Sequence, residues 1–435
     1  MIWSCVFFGY ILGCLGTADV KIDVTLNGFS ITQFISERGY PVEAHVDIET
    51  EDGYLLDMFR IPHGVQENNA TDNKSRPAAL LMHGLMGSAE NFVILGPDKS
   101  LAFLLADAGY DVWLGNARGT THSRKHNTLN PDYDKEFWDF SWHEIGVFDL
   151  PAKLDYIMSE TNQTEIFYIG HSQGTTSFFV MASERPDYNK NIKLMIALAP
   201  VAFMTNAPNP AIQAIALFER SLSIVSNLVG LNEFIPNNEL LKLAGQAICL
   251  RTAITKELCA NAAFLIAGYD SDQLDRSYLP IITQTTPSSC SIKQFAHYGQ
   301  EINSESLPSM TCKALNWGPV KFVFKMIGVG GCTWYHGTFK KFDYGYSGNL
   351  ERYGTDVPPS YDLSQITAPI ALYYSTNDLL TSPKDVEYLA TKLPNLVLKY
   401  LIPYESFNHL DFIVAKDVIP LLYGRVMDLM NANKI

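Results

Sequence analysis

Ile166-Phe167-Tyr168-Ile169-Gly170-His171-Ser172-Gln173-Gly174-Thr175-Thr176 is the stretch that decides the fold of this chain. Its first four residues are apolar, β-branched or aromatic, the composition of a short buried strand. Thr175 to Ala182 is mostly apolar and, with the end of the pentapeptide, long enough to start a helix. A strand that runs straight into a helix through G-x-S-x-G is a nucleophile elbow. The turn forces the serine into a strained conformation, and the flanking glycines avoid a clash with neighbouring backbone. The Ser172 hydroxyl is thereby lifted to the end of the sheet, with the helix N-terminus beneath it. The bare pentapeptide also fits a glycine-bounded surface turn; the strand before it and the helix after it count against that reading.

Outward from the elbow, the chain alternates strands and helices. Val42 to Arg60 alternates apolar and polar residues around Glu51-Asp52-Gly53 and reads as an antiparallel hairpin. Ala78 to Met82, Tyr110 to Leu114 and Leu194 to Leu198 are further short apolar runs, separated by helical stretches such as Pro97 to Gly109 and Trp142 to Ser159. This order predicts an α/β fold, a mostly parallel sheet with helices on both faces. The alternation stops near Pro200. Ala211 to Leu265 reads as mainly helical, with a stripe at Ile215, Phe218, Leu222, Val225 and Val229. It resumes with a strand at Ile370 to Tyr374, a helix opened by Ser382-Pro383 and running to about Leu393, a strand at Leu396 to Ile402, and a last helix opened by Asp417 with Pro420. The predicted organisation is a core in two parts, residues 19–200 and 366–435, interrupted by a mainly helical insertion over 201–365.

Composition narrows the class. The chain has 435 residues, 47% hydrophobic and 18% charged, ordinary for a globular protein with a sizeable core. Its net charge of -14 argues against nucleic-acid binding, which requires a basic face. Residues 1–18 read as a secretory signal peptide, apolar from Val6 to Leu15 with Gly16 and Ala18 as small residues, although no Lys or Arg precedes Lys21. The apolar run is short for a membrane span, and no later segment is long enough, so no transmembrane anchor is expected in the mature form. Asn69, Asn73 and Asn162 head glycosylation acceptor triplets in polar stretches. Removal of the signal would leave five of seven cysteines, Cys249, Cys259, Cys290, Cys312 and Cys332; with an odd number, at least one is free or pairs between chains. No Cys, His or carboxylate cluster has metal-ligand spacing, so neither metal nor cofactor is expected.

A serine needs a base to take its proton, and the base needs an acid to hold its tautomer. In a sheet of this kind both follow the serine, in the order acid then His, on loops at the strands' C-terminal ends. Three histidines follow Ser172: His297 and His336 fall within the insertion, whereas His409 follows the strand at Leu396 to Ile402 by a short loop. Asp378 directly follows the strand ending near Ser375. Asp385 lies in the next helix and Asp362 precedes the strand. The predicted triad is Ser172, Asp378 and His409; the bland alternatives are a surface-loop histidine and an Asx-turn aspartate. Oxyanion donors are expected from the N–H of Gln173 and from the N–H of Leu85, in His83-Gly84-Leu85-Met86-Gly87 after the strand at Ala78 to Met82. A plain β-turn at His83-Gly84 is the alternative there.

Across these segments the chain resembles the acid lipases of the gastric and lysosomal type, within the α/β-hydrolase superfamily. The resemblance rests on Gly39 to Glu43 with Thr50 to Tyr54, His83-Gly84-Leu85, Gly115 to Gly119, Phe137 to Ser141, Gly170 to Thr176 and Asn408 to Phe412. It implies hydrolysis of neutral lipid esters, triacylglycerols or sterol esters, through an acyl-enzyme on Ser172 without a metal. It also implies transient contact with a lipid interface, a helical cap over the site, a secreted or lysosomal location and a disulfide between Cys249 and Cys259. A general carboxylesterase acting on smaller esters and a non-catalytic lipid carrier are the other readings, the second disfavoured because all three triad residues are present. Ile212 to Val229 fits either a movable amphipathic cover or ordinary core packing. One stretch departs from the family, about thirty-four residues over 305–338 that include Cys312, Cys332 and Gly328-Val329-Gly330-Gly331. That glycine cluster lacks the Lys-Ser and the strand-to-helix context of a phosphate loop. The segment reads as a surface loop stapled by Cys312 and Cys332 or as a gene-prediction artefact.

Overall fold

A computed structural model describes residues 29–65, 76–209, 213, 216, 232–234, 261, 264–304 and 337–434. Its frame is one sheet assembled from the short apolar runs. The strands in chain order are β1 (Glu43–Glu49), β2 (Tyr54–Ile61), β3 (Ala78–Met82), β4 (Asp111–Gly115), β5 (Lys125–His126), β6 (Ile166–His171) and β7 (Ile192–Leu198). β8 (Glu233–Phe234) and β9 (Cys290–Ser291) pair with each other away from this sheet, and β10 (Ile370–Tyr374) and β11 (Leu396–Leu401) complete it. The order is β1-β2-β4-β3-β6-β7-β10-β11, with β5 on β2. β1, β2 and β4 are antiparallel neighbours, and every pairing from β4 to β11 is parallel. Every residue of β3, β4, β6 and β10 is buried, as a strand covered on both faces requires. β11 alternates half-buried and exposed residues, as befits an edge. The residues from Ile31 onward form one compact unit.

The mostly parallel α/β sheet is the one expected, but three helices differ, the last of them opening as a π-helical segment Ile419–Tyr423 before the α-helix Gly424–Ala432. The helix expected over Pro97 to Gly109 forms only at Leu101–Asp107, because Gly96 is left-handed (φ 78) and the Ser100 N–H closes a turn on Gly96 O at 2.9 Å. Trp142 to Ser159 is a single turn, Trp142–Glu144, then a π-helical segment Ile145–Asp149, then a helix Leu150–Thr161. Pro151 carries no N–H, so the Val147 carbonyl loses its helical donor. Arg185 Nη1 donates to that carbonyl instead, at 3.1 Å. Gly146 permits the close pass: a Cβ there would lie 2.7 Å from Ser177 O.

A buried ion-pair knot ties the hairpin to the sheet's centre. Arg118 Nη1 and Nη2 donate to the Asp52 carboxylate at 2.5 and 2.8 Å, and its Nε donates to Asp149 Oδ1 at 2.6 Å. The guanidinium also lies 3.9 Å from the Tyr54 ring centroid. The two carboxylates hold Arg118 charged despite complete burial, the partnered condition that a buried charge requires. No described helix is long and apolar enough to cross a membrane.

About half of the expected insertion lies outside the described residues, as do the signal segment, Asn69, Asn73, Cys249, Cys259, Cys312, Cys332, His336 and most of Ile212 to Val229. Cys290 is described and is a buried free thiol.

Candidate active site

β6 ends at His171 and the helix Gln173–Glu184 begins two residues later, leaving Ser172 to make the turn alone. Its backbone sits at φ 53, ψ -117, a region that residues with a Cβ rarely enter. Both flanks hold it there. The Ser172 N–H donates to Leu198 O of β7 at 3.0 Å, and its carbonyl accepts from the N–H of Thr175 at 2.8 Å. The glycines of the motif are sterically required. A Cβ on Gly170 would lie 2.7 Å from the Gly174 carbonyl carbon, and one on Gly174 would lie 2.4 Å from Met82 O. The result is a half-buried Ser172 at the C-terminal edge of the sheet.

The loop after β3 passes directly beside this serine: a Cβ on Gly84 would lie 3.0 Å from Ser172 Cβ. The loop is also a turn, the alternative reading of His83-Gly84, with the Gly87 N–H donating to Gly84 O at 3.0 Å. His83 sets its geometry. Its Nε2 accepts the Ala117 N–H at 3.1 Å, so Nδ1 carries the proton and donates to Gly84 O at 2.8 Å. A trans peptide points its C=O and N–H in opposite directions. Fixing the Gly84 carbonyl therefore fixes the aim of the Leu85 N–H, the expected oxyanion donor. Burial keeps the His83 imidazole neutral, its pKa pushed down to about 4. Sequence reading missed this role; a histidine bonding to its own next residue leaves no periodic signal.

Asp378 and His409 meet. The His409 Nδ1–H donates to Asp378 Oδ2 at 2.7 Å, with both side chains buried. The other oxygen, Asp378 Oδ1, accepts the N–H groups of Leu380 and Thr381 at 2.8 and 2.9 Å. Asp378 is thus an Asx-turn residue and the partner of His409 at once. His171 supports the histidine from below, donating Nε2–H to His409 O at 3.1 Å, with the two ring centroids 5.0 Å apart. Burial, with His409 beside it, pushes the His171 pKa down to about 3, so it is a neutral prop.

The competitors are engaged elsewhere. Asp385 accepts from the backbone and side-chain amides of Asn206 at 2.9 and 2.7 Å, and Asp362 accepts the Ser364 N–H at 3.1 Å. His297 stacks on Trp142 at 3.6 Å and bonds Ser141 Oγ and Lys340 O, well inside the core. Gln173, whose N–H opens the helix, donates its side-chain Nε2 to Gln294 Oε1 at 2.6 Å. Among the described residues no group of His, Cys, Asp or Glu is arranged to hold a metal ion.

Comparison with known proteins agrees with this architecture. Residues 31–96 match the model of a partial alpha/beta-hydrolase lipase region, and residues 77–416 match that of the alpha/beta hydrolase fold. The chain is 40% identical to Lipase 3 of Drosophila melanogaster, over 92% of each chain. It is 38% identical to the gastric triacylglycerol lipase of Mus musculus, over 92% of this chain and 91% of that one. It is 35% identical to the lysosomal acid lipase/cholesteryl ester hydrolase of Homo sapiens, over 92% and 90%. A monoglyceride lipase from Saccharomyces cerevisiae shares the fold, with a TM-score of 0.52 at 14% identity over 97% of this chain and all of that one. The chain belongs to the α/β-hydrolase superfamily and, within it, to the family of the gastric and lysosomal acid lipases.

Proposed function

We propose that this protein is a lipase that hydrolyses carboxylic ester bonds of neutral lipids, triacylglycerols or sterol esters, by a Ser172–His409–Asp378 acyl-enzyme mechanism. The observation that carries the reading is the 2.7 Å bond from His409 Nδ1 to Asp378 Oδ2, together with a serine held at φ 53 where a strand turns into a helix. With Nδ1 protonated, His409 presents its basic Nε2. Ser172 Oγ attacks the ester carbonyl carbon and its proton passes to Nε2. The oxyanion that forms takes hydrogen bonds from the N–H groups of Leu85 and Gln173. The intermediate collapses, His409 gives the proton to the departing alcohol, and water, deprotonated by the same nitrogen, releases the fatty acid and frees Ser172.

Three features support a lipid rather than a small ester. The relatives named above carry triacylglycerol and cholesteryl ester in their names. Leu265, Ile266 and Tyr269 are 68%, 49% and 64% exposed, and Ala267 between them accepts the His409 N–H at 3.2 Å. Leu410, next to the base, is exposed as well. Large apolar side chains left in water around a site suit contact with a lipid interface. A secreted or lysosomal location after signal removal is part of the proposal, and Asn162 suits glycosylation there, exposed at the left-handed end of the helix Leu150–Thr161.

The test is hydrolysis of emulsified trioctanoin, triolein and cholesteryl oleate and of soluble p-nitrophenyl butyrate, by wild type and Ser172→Ala. The lipase reading expects turnover of the emulsions that vanishes in Ser172→Ala. Turnover of butyrate alone would make the protein a carboxylesterase, and lipid binding with no turnover a carrier.

A further inference from the structure

The acid and base loops are joined by a third piece of chain. Ala267 O accepts two N–H groups at 3.2 Å each, one from Leu379, next to Asp378, and one from His409 itself. Gly268 O accepts Asn408 Nδ2 at 3.0 Å, and Tyr269 O accepts Asn377 Nδ2 at 2.9 Å. Gly268 lies flat against both loops, with φ 117; a Cβ there would fall 2.1 Å from Asn377 O and 3.0 Å from Asn408 Cβ. The contact continues downstream: Leu274 bridges Ala415, Gln273 O accepts the Lys416 N–H at 2.8 Å, and Gln273 Oε1 accepts the Asp417 N–H at 3.0 Å. Residues 267–274 are a clip across the two loops that carry Asp378 and His409.

At the middle of the clip two carboxyl groups face each other. Asp270 and Asp411 are both buried. Asp270 Oδ1 is used by the N–H groups of Asp272 and Gln273, at 3.2 Å each, and the Tyr404 hydroxyl reaches it at 3.5 Å. Asp270 Oδ2 is buried without an N–H or hydroxyl donor, and the Asp411 carboxyl lies within reach of the Asp270 side chain. Asp411 Oδ2 accepts the Asn408 N–H at 2.6 Å, and Asn408 Oδ1 returns the bond to the N–H groups of Leu410 and Asp411 at 2.8 and 3.1 Å. His409 is therefore enclosed in a loop whose two ends are tied through Asn408 and Asp411. Two carboxylates cannot bond to each other unless one holds a proton.

We propose that Asp270 and Asp411 form a proton-sharing latch that closes the clip and makes Asp411 a positioning residue for His409. The reading rests on the proposed catalytic role of His409. The surroundings favour retention of the proton. Asp272 faces Asp270, and Asp378 faces Asp411, each adding negative charge; Tyr404 brings only a hydroxyl. The neighbouring Asp417 is engaged elsewhere, accepting Gln273 Nε2 at 3.1 Å. Burial first, then the facing carboxylates, pushes Asp411 up to about 8. A proton held more tightly folded than unfolded stabilises the closed clip at acid and neutral pH, and this contribution is lost as pH rises through about 8. Further protonation, of Asp270, leaves a neutral carboxyl pair still bonded, so acid does not open the latch.

The experiment compares wild type, Asp411→Asn, Asp270→Asn and Gly268→Ala in the full protein, using kcat and KM for p-nitrophenyl butyrate from pH 5 to 10 and the thermal midpoint at each pH. An Asn amide supplies permanently the hydrogen that the latch otherwise takes from solution. Normalised to its own neutral plateau, kcat of wild type should fall above about pH 8. In the Asn variants that alkaline limb should move up by about one pH unit or more, and the alkaline fall of the thermal midpoint should shrink with it. Gly268→Ala should lower kcat about tenfold or more at every pH with KM changed less than about twofold, the mark of a displaced base rather than a lost binding contact. Alkaline limbs that coincide in wild type and both Asn variants would overturn the latch. So would a Gly268→Ala protein with wild-type kcat. Wild type without hydrolysis at any pH would instead defeat the catalytic reading, and the pH dependence of the thermal midpoint would still decide the latch by itself.

Discussion

His409 Nδ1 lies 2.7 Å from Asp378 Oδ2, and the second oxygen of that aspartate is already committed to the N–H groups of Leu380 and Thr381. The carboxylate is therefore oriented by its own backbone before it orients the histidine. Replacing Asp378 by Asn keeps the shape but offers the turn or the imidazole an NH2 group in place of an acceptor. We predict a kcat for soluble ester lower by about three to four orders of magnitude, with KM little changed. Steady-state kinetics at pH 7 checks it, and a loss below tenfold would remove Asp378 from the mechanism.

Ser172 holds positive φ because the turn demands it. Glycine adopts such conformations without the steric cost, whereas alanine keeps the Cβ. Ser172→Gly should abolish hydrolysis while raising stability by about 1 kcal/mol over Ser172→Ala, read as a higher denaturation midpoint. Equal midpoints would mean that the elbow stores no strain.

Arg118 joins Asp52 and Asp149 inside the core, where Asp149 is wholly buried. Arg118→Met removes the guanidinium between these two carboxylates and strands at least one of them. The expected loss is about 3–5 kcal/mol in urea unfolding. A double variant, Arg118→Met with Asp149→Asn, should recover part of it, because the stranded charge goes too.

His83 and His171 are neutral in the fold, with pKa values lowered to about 4 and about 3, mainly by burial. Unfolded histidine titrates near 6.5, so between that pH and about 4 the unfolded chain binds protons that the folded one refuses. Stability should be intact above about pH 6.5 and should decline as pH falls toward 4. The slope should be at most about 1.4 kcal/mol per pH unit for each histidine. His83→Asn, which retains a donor for Gly84 O, should show a shallower acid decline than wild type in urea titrations at pH 7, 6 and 5. An unchanged slope would assign the acid sensitivity to other groups.

The elbow and the positions of the proposed acid and base were legible because each is announced by a strand that ends shortly before it. Ile166 to Ile169, Ile370 to Tyr374 and Leu396 to Leu401 are apolar runs whose C-terminal ends deliver Ser172, Asp378 and His409 in the required order. What escaped has no such herald. The π-helical turn at Ile145–Asp149 depends on Pro151 withholding an amide and on Arg185, far along the chain, supplying one. The aim of the Leu85 amide depends on a ring bonding its neighbour, and the fit of Gly268 on a backbone contact that is invisible until the loops are in place. Periodicity reports which face of an element is buried; it is silent on such single bonds between distant or adjacent groups.

Residues 267–274 belong to the stretch between β7 and β10, yet they bond to both loops that finish the sheet. The sheet and the stretch laid over it are therefore not interchangeable parts. A chimaera that kept the sheet and borrowed this stretch from a distant hydrolase would retain serine, acid and histidine in name while losing their common alignment. The short run from Ala267 to Leu274 has to change together with the loops that carry Asp378 and His409, as if it were one of them.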